Sequence, residues 1–212
     1  MFYAIKNGKK ITAKRKTIAT CPICKKKLIP KCGLIKLWHW SHKSNVDCDD
    51  WCEPESIWHK QWKDNFKRKY QEVVVGKHIA DIKIKNLVIE LQNSPISPKE
   101  IEDREIFYGN MIWILNGESI AKGLNLRCKG NYYTFRWKHP PKSWWSSTKP
   151  IYIDIKEFDR GGGDIFGKLK SEEYIFLIKK IYTNIPCGGW GILIKKEDFI
   201  KQLKKGENYG NY

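Results

Sequence analysis

At 212 residues the chain is long enough for one sizeable core, or for a core with a small satellite domain. Hydrophobic residues make up 41 %, with ten Trp, yet no run approaches the roughly eighteen apolar residues of a membrane span. The start, MFYAIKNGKK, has no apolar signal core behind its basic residues, so a cytoplasmic protein is expected. The net charge is +17, and residues 1–46 carry twelve Lys/Arg and no Asp or Glu. Such a surplus points to a polyanionic partner, nucleic acid first, and the Trp content suits stacking on bases.

The basic segment, residues 1–52, reads as short strands around a Cys/His cluster. Seven cysteines is an odd number for a disulfide framework. Cys21 and Cys24 form C-x-x-C, and His39 and His42 form H-x-x-H after fourteen intervening residues. That spacing suits a two-plus-two structural Zn²⁺ site. Cys21, Cys24, His39 and His42 are the expected ligands, and Cys48 replacing one histidine is the second choice. A segment this basic has little core of its own, and a metal stabilises small domains outright.

Residues 53–120 alternate helical and strand patterns. Pro54 suits a first helical turn. Trp58, Trp62, Phe66 and Tyr70 then recur at i+4, an apolar helical stripe, with Glu55, His59 and Lys63 as a second row beside it. EVVVG (72–76), HIADIKI (78–84) and LVIELQ (87–92) read as strands, the last two joined at Lys85-Asn86. SPISPKEIEDREIFYGN opens with Ser/Pro start signals and reads as a helix ending near Gly109, and MIWILN (111–116) reads as a short apolar strand. The order is α-β-β-β-α-β. Residues 121–212 form an α+β extension with turn-rich stretches: KHPPKSWW, DRGGGD and PCGGWG. GENYGNY reads as a frayed tail.

The two central strands carry a chemical problem. Counting back from the Lys85-Asn86 turn sets Asp81 opposite Glu90, with Gln92 on the same face as Glu90. Opposed residues have Cβ atoms roughly 5 Å apart, so two carboxylates there repel unless a cation intervenes. Hard oxygen ligands favour Mg²⁺ or Mn²⁺. The competing expectation is that the carboxylates face solvent or pair with Lys83 and Lys63.

Asp81 followed by Glu90-Leu91-Gln92 in this element order resembles the PD-(D/E)XK nuclease superfamily, with Gln where most members have Lys. The wider text is similar to the competence protein CoiA-like nuclease family, through CPIC, HWSHK, CDDW, ESIWHKQWK, HIADIK, VIELQNSPIS and REIFYGNMIWIL, and less sharply through FRWKHPPKSWW and PIYIDI. The resemblance implies an α/β, restriction-endonuclease-like core and Mg²⁺-dependent hydrolysis of DNA. In it Asp81 and Glu90 would hold the metal, Glu55 would add an acidic group, Gln92 would orient water or phosphate, and His59 would shuttle a proton or bond Glu55. Arg104 would meet a phosphate, or pair with Glu100. The alternative is a non-catalytic nucleic-acid-binding protein on a degenerate nuclease core.

Overall fold

The computed structural model describes residues 1–43, 48–120, 122–155, 173–184 and 187–207. The DRGGGD stretch and most of the C-terminal tail lie outside them. The chain divides into two compact units, Met1–Lys83 and Ile84–Tyr212.

The first unit opens with a five-stranded antiparallel sheet of β1 (Tyr3–Lys6), β2 (Lys9–Thr12), β3 (Ala19–Thr20), β4 (Lys27–Lys31) and β5 (His39–His42), ordered β2-β1-β3-β4-β5. Asn7 and Gly8 turn the first hairpin with φ of 49° and 71°, the left-handed pair that a two-residue turn requires. The core behind this sheet is small: Ala4, Ala13, Ala19, Cys21, Leu28 and Trp40.

Helix α1 (Ile57–Lys63) follows. It starts later than Pro54 and stops earlier than the aromatic stripe suggests. Ser56 and His59 form a reciprocal capping box that fixes the start. Asn65 fixes the end, its Nδ2 donating to the carbonyls of Gln61 and Trp62. Phe66 and Tyr70 therefore sit beyond the helix, Tyr70 in a single 3₁₀ turn, Arg68–Tyr70. Strands β6 (Gln71–Val75) and β7 (His78–Ile84) then pair antiparallel. Along β7, buried and half-buried residues alternate, which puts Asp81 on the half-open face and His78 on the buried one.

In the second unit seven strands run in the order β10-β11-β14-β13-β12-β9-β8. They are β8 (Leu87–Gln92), β9 (Met111–Asn116), β10 (Leu124–Cys128), β11 (Tyr133–Trp137), β12 (Ile151–Asp154), β13 (Tyr174–Tyr182) and β14 (Gly188–Lys195). Helix α2 (Pro98–Tyr108) links β8 to β9, which lie parallel. Ser97 caps its start and Gly109 its end. Every residue of β8 and β9 is buried, as expected of parallel strands covered on both faces. Strand β12 lies parallel to β9 on its other side, so the C-terminal segment continues this sheet. The short helix α3 (Gly117–Ile120) follows β9, and α4 (Lys196–Lys205) follows β14.

GGWG of CGGWG, expected in a turn, opens β14 at Gly188. Its glycines make room for rings: a Cβ on Gly189 would lie 2.6 Å from Cζ of Phe135 and 2.0 Å from the carbonyl oxygen of Lys180. Gly189→Ala overpacks this contact. Urea unfolding is expected to show a loss of about 1–3 kcal/mol, and an unchanged midpoint would contradict the packing described.

Candidate functional site

Four charged side chains of the first unit meet at the end of α1. Lys63, whose side chain is 1 % exposed, places Nζ 2.8 Å from Glu55 Oε1, 3.2 Å from Glu72 Oε1 and 2.9 Å from Asp81 Oδ1. Glu55 comes from the segment before α1, Glu72 from β6 and Asp81 from β7. Glu72 is fully engaged: Oε1 also accepts from the backbone N–H of Phe2 at 2.7 Å, and Oε2 accepts from that of Tyr3 at 3.0 Å. Glu72 has a φ of 46°, a strained backbone for a non-glycine residue, costing on the order of 1–3 kcal/mol. Its side-chain bonds hold it there.

Three carboxylates against one ammonium leave the group short of positive charge, and the acids respond unequally. Glu55 is pushed up to about 7, by burial first and then by Glu72 and Asp81, with Lys63 opposing. Burial also acts against the charged form of Glu72, but Lys63 and the N–H of Phe2 bring it down to about 2. Lys63 loses to burial yet is held well above its ordinary range by Asp81, Glu55 and Glu72. Asp81 has the solvent-accessible side chain of the group, 21 % exposed. Oε2 of Glu55 is buried with no hydrogen-bond partner. Three carboxylate oxygens do not converge within 4.8 Å of one another here, as the ligand atoms of Asp49, Asp50 and His78 do, so a divalent cation would take Glu55 and Asp81 as a two-residue donor set.

His59 serves the helix start. Its backbone N–H donates to Ser56 Oγ, its Nδ1 accepts from the Ser56 N–H, and Nε2 lies 3.4 Å from Glu53. Burial lowers its pKa, but Glu53, Asp81 and Glu55 outweigh it and raise the group overall. His78 donates to or accepts from Asp49 at 2.9 Å and stacks on Trp51 with ring centroids 3.3 Å apart. Asp49 also accepts from the N–H of Ile79, so that pair organises the start of β7.

In the second unit Glu90 is buried and accepts from Arg104 Nη1 at 2.9 Å; Arg104 also bonds Glu100. Gln92 donates to the carbonyl of Ser94 at 2.9 Å. The sequence expects a metal to compensate Asp81 and Glu90. The counter-charges seen are organic: Lys63 for Asp81 and Arg104 for Glu90. Arg104, a candidate for phosphate, is committed to two carboxylates. Lys63 and Glu72 were not read as site residues. Lys63 enters the sequence reading as a possible partner of the carboxylates, and for Asp81 it is one; Glu72 gave no signal.

The cysteine cluster lies in the N-terminal sheet unit. Cys21, Cys24, His42 and Cys48 bring their ligand atoms within 4.8 Å of one another. Cys21 and Cys48 Sγ are 3.6 Å apart, and His42 Nε2 is 3.2 Å from Cys24 Sγ and 3.6 Å from Cys48 Sγ. A tetrahedral zinc with Zn–S bonds of about 2.3 Å spaces its ligands by a little under 4 Å. This group can bind zinc. The fourth member of the cluster is Cys48 and not His39. His39–His42 is a strand, where residues three apart face opposite ways, and His39 Nδ1 lies 2.8 Å from the carbonyl oxygen of Leu37 instead. Burial, with Cys21 and Cys24 beside it, pushes the Cys48 thiol up to about 12. Burial and Lys26 lower His42, favouring the neutral imidazole that ligates metal.

Residues 4–50, which hold all four of these side chains, match the family described as Competence protein CoiA, N-terminal domain. No curated protein and no solved structure matches the chain. No helix among the described residues is long and apolar enough to cross a membrane.

Elemental analysis of purified protein is expected to find about one zinc per chain. Cys48→Ser should lose it and His39→Ala should keep it; the reverse pattern would restore the two-histidine site.

Proposed function

We propose that the chain is a metal-dependent nuclease that hydrolyses phosphodiester bonds in DNA, in a competence-related role such as DNA uptake or recombination. The competence link rests on the match over residues 4–50. The element order α1-β6-β7-β8-α2-β9 is that of the PD-(D/E)XK fold which the sequence resembles. The observation that carries the reading is the acid-rich group around Lys63, with an orphaned oxygen on Glu55 and an open Asp81. Asp81 and Glu55 are the residues that would hold Mg²⁺ or Mn²⁺, and the resemblance adds Glu90.

A bound divalent cation would polarise a phosphate oxygen and acidify an attacking water. The protein's own contributions are separable. Glu72, with both oxygens occupied, fixes Lys63. Lys63 holds Glu55 and Asp81 in place and supplies positive charge beside them. Glu55, near 7, is the acid in this group able to give or take a proton at neutral pH. Gln92 keeps its assignment from the sequence, the orientation of water or phosphate.

A second reading has its own support. Asp81 and Glu90 each already have a cationic partner, so neither depends on a metal for a counter-charge. That suits a nucleic-acid-binding protein without catalysis.

Labelled linear, circular, single-stranded and branched DNA, incubated with and without Mg²⁺ or Mn²⁺, separates the two. The nuclease reading predicts cleavage that needs the cation. Asp81→Ala and Glu90→Ala should each lower the rate at least about a hundredfold, in line with the loss of a transition-state electrostatic contact, and leave binding intact. Wild-type protein that binds every substrate and cuts none would establish the second reading.

A further inference from the structure

The loop after β4 exposes apolar side chains. Leu34 is 96 % exposed, Ile35 98 % and Trp38 47 %. The other tryptophans of this segment are used otherwise, Trp40 in the core and Trp51 on His78. Trp38 Nε1 donates to the carbonyl of Gly33 at 3.0 Å, which closes the loop and holds the indole at its base. The loop forms one wall of a cleft of about 770 Å³. Ile57 (65 % exposed) and Lys60 of α1 also line it, as do Glu55 and Lys63.

Cations line or flank the same cleft. Lys36, Lys60 and Arg68 contribute to its walls. The guanidinium of Arg15 lies 5.7 Å from the ring centre of Trp38, and that of Arg68 lies 5.4 Å from that of Tyr3. The cleft thus combines an exposed indole, two exposed aliphatic side chains and several cations.

From this combination we propose that the cleft binds single-stranded DNA, with bases stacked on Trp38 and packed against Leu34 and Ile35, and phosphates on the surrounding Lys and Arg. A duplex hides the faces of its bases, so an apolar wall facing it meets only sugar and phosphate. Unstacked bases present both a flat apolar face and an adjacent anion, which is what the cleft complements. The strand runs along a cleft whose lining includes Glu55 and Lys63. This names the substrate of the proposed nuclease and rests on that reading for the place of the cut, while the binding surface stands on its own observations.

The test is fluorescence anisotropy with a labelled 12-mer, single-stranded or as duplex, using zinc-loaded protein without Mg²⁺ or Mn²⁺ so that nothing is cut. Wild type should prefer the single strand at least about tenfold. Trp38→Ala should weaken single-strand binding roughly five- to hundredfold, the loss expected for one stacked base, and leave duplex binding unchanged. Trp38→Phe should keep most of the affinity. Because Trp38 also closes its loop, Leu34→Asp/Ile35→Asp gives a second arm at positions with no packing to lose, and it should weaken single-strand binding severalfold. Absence of single-strand preference, or unchanged affinity in both arms, would overturn the proposal; a cleft built for a peptide gives that result. If the cleavage test finds no hydrolysis but the Trp38-dependent preference holds, the nuclease reading fails and this one stands.

Discussion

The ammonium of Lys63 is the contact on which the first unit depends. It is buried and touches three carboxylates that come from three separate segments. Removing it would leave those acids together in a low-dielectric setting, and breaking a buried pair costs on the order of 3–5 kcal/mol. Glu72 extends the constraint. Through the N–H groups of Phe2 and Tyr3 it ties β6 to the first strand of the N-terminal sheet. One ion network therefore fixes α1, β6, β7 and the N-terminal sheet with respect to each other. The strained φ of Glu72 is a sign of how firmly it does so.

The same network limits the chemistry. A site made only of acids would repel itself; a site made of balanced pairs would have nothing to offer a cation. Here the balance falls between the two. Glu72 is satisfied, Asp81 is paired but open, and Glu55 keeps one oxygen without a partner. Burial and the like charges of Glu72 and Asp81 raise Glu55 to about 7 even with Lys63 beside it, because that one ammonium is shared among three carboxylates. The zinc-type cluster is a different case. Its four ligand atoms lie within 4.8 Å of one another beside a small sheet with a thin core, where a bound metal would contribute directly to folding.

Much of the fold was legible in the sequence where pattern and punctuation agree. HIADIKI and LVIELQ are strands with the bounds read, and Ser97 and Gly109 bracket α2 as the capping signals require. Failures came where a local hydrogen bond overrode a longer pattern. The aromatic stripe runs on to Tyr70, but Asn65 takes two carbonyls and ends α1 at Lys63. CGGWG has turn composition, but its glycines lie in β14 because rings occupy the space of their side chains. The choice between His39 and Cys48 turned on whether HWSH is strand or turn, which spacing alone does not decide. Pairing of Asp81 with Lys63 was legible as the competing expectation, but Glu72 was out of reach because its role is defined by contacts with Phe2 and Tyr3, far away in the chain.

The claim at the centre is that Glu55 and Asp81, steadied by Lys63, hold a divalent cation. Titration of Mn²⁺ into zinc-loaded protein, followed by the loss of the free-ion electron paramagnetic resonance signal, tests it without substrate. The account predicts uptake of Mn²⁺ beyond the zinc, weakened at least about tenfold in Glu55→Gln and in Asp81→Asn, since each removes a charged oxygen ligand. A free-ion signal that does not diminish, or uptake equal in wild type and both variants, would contradict it.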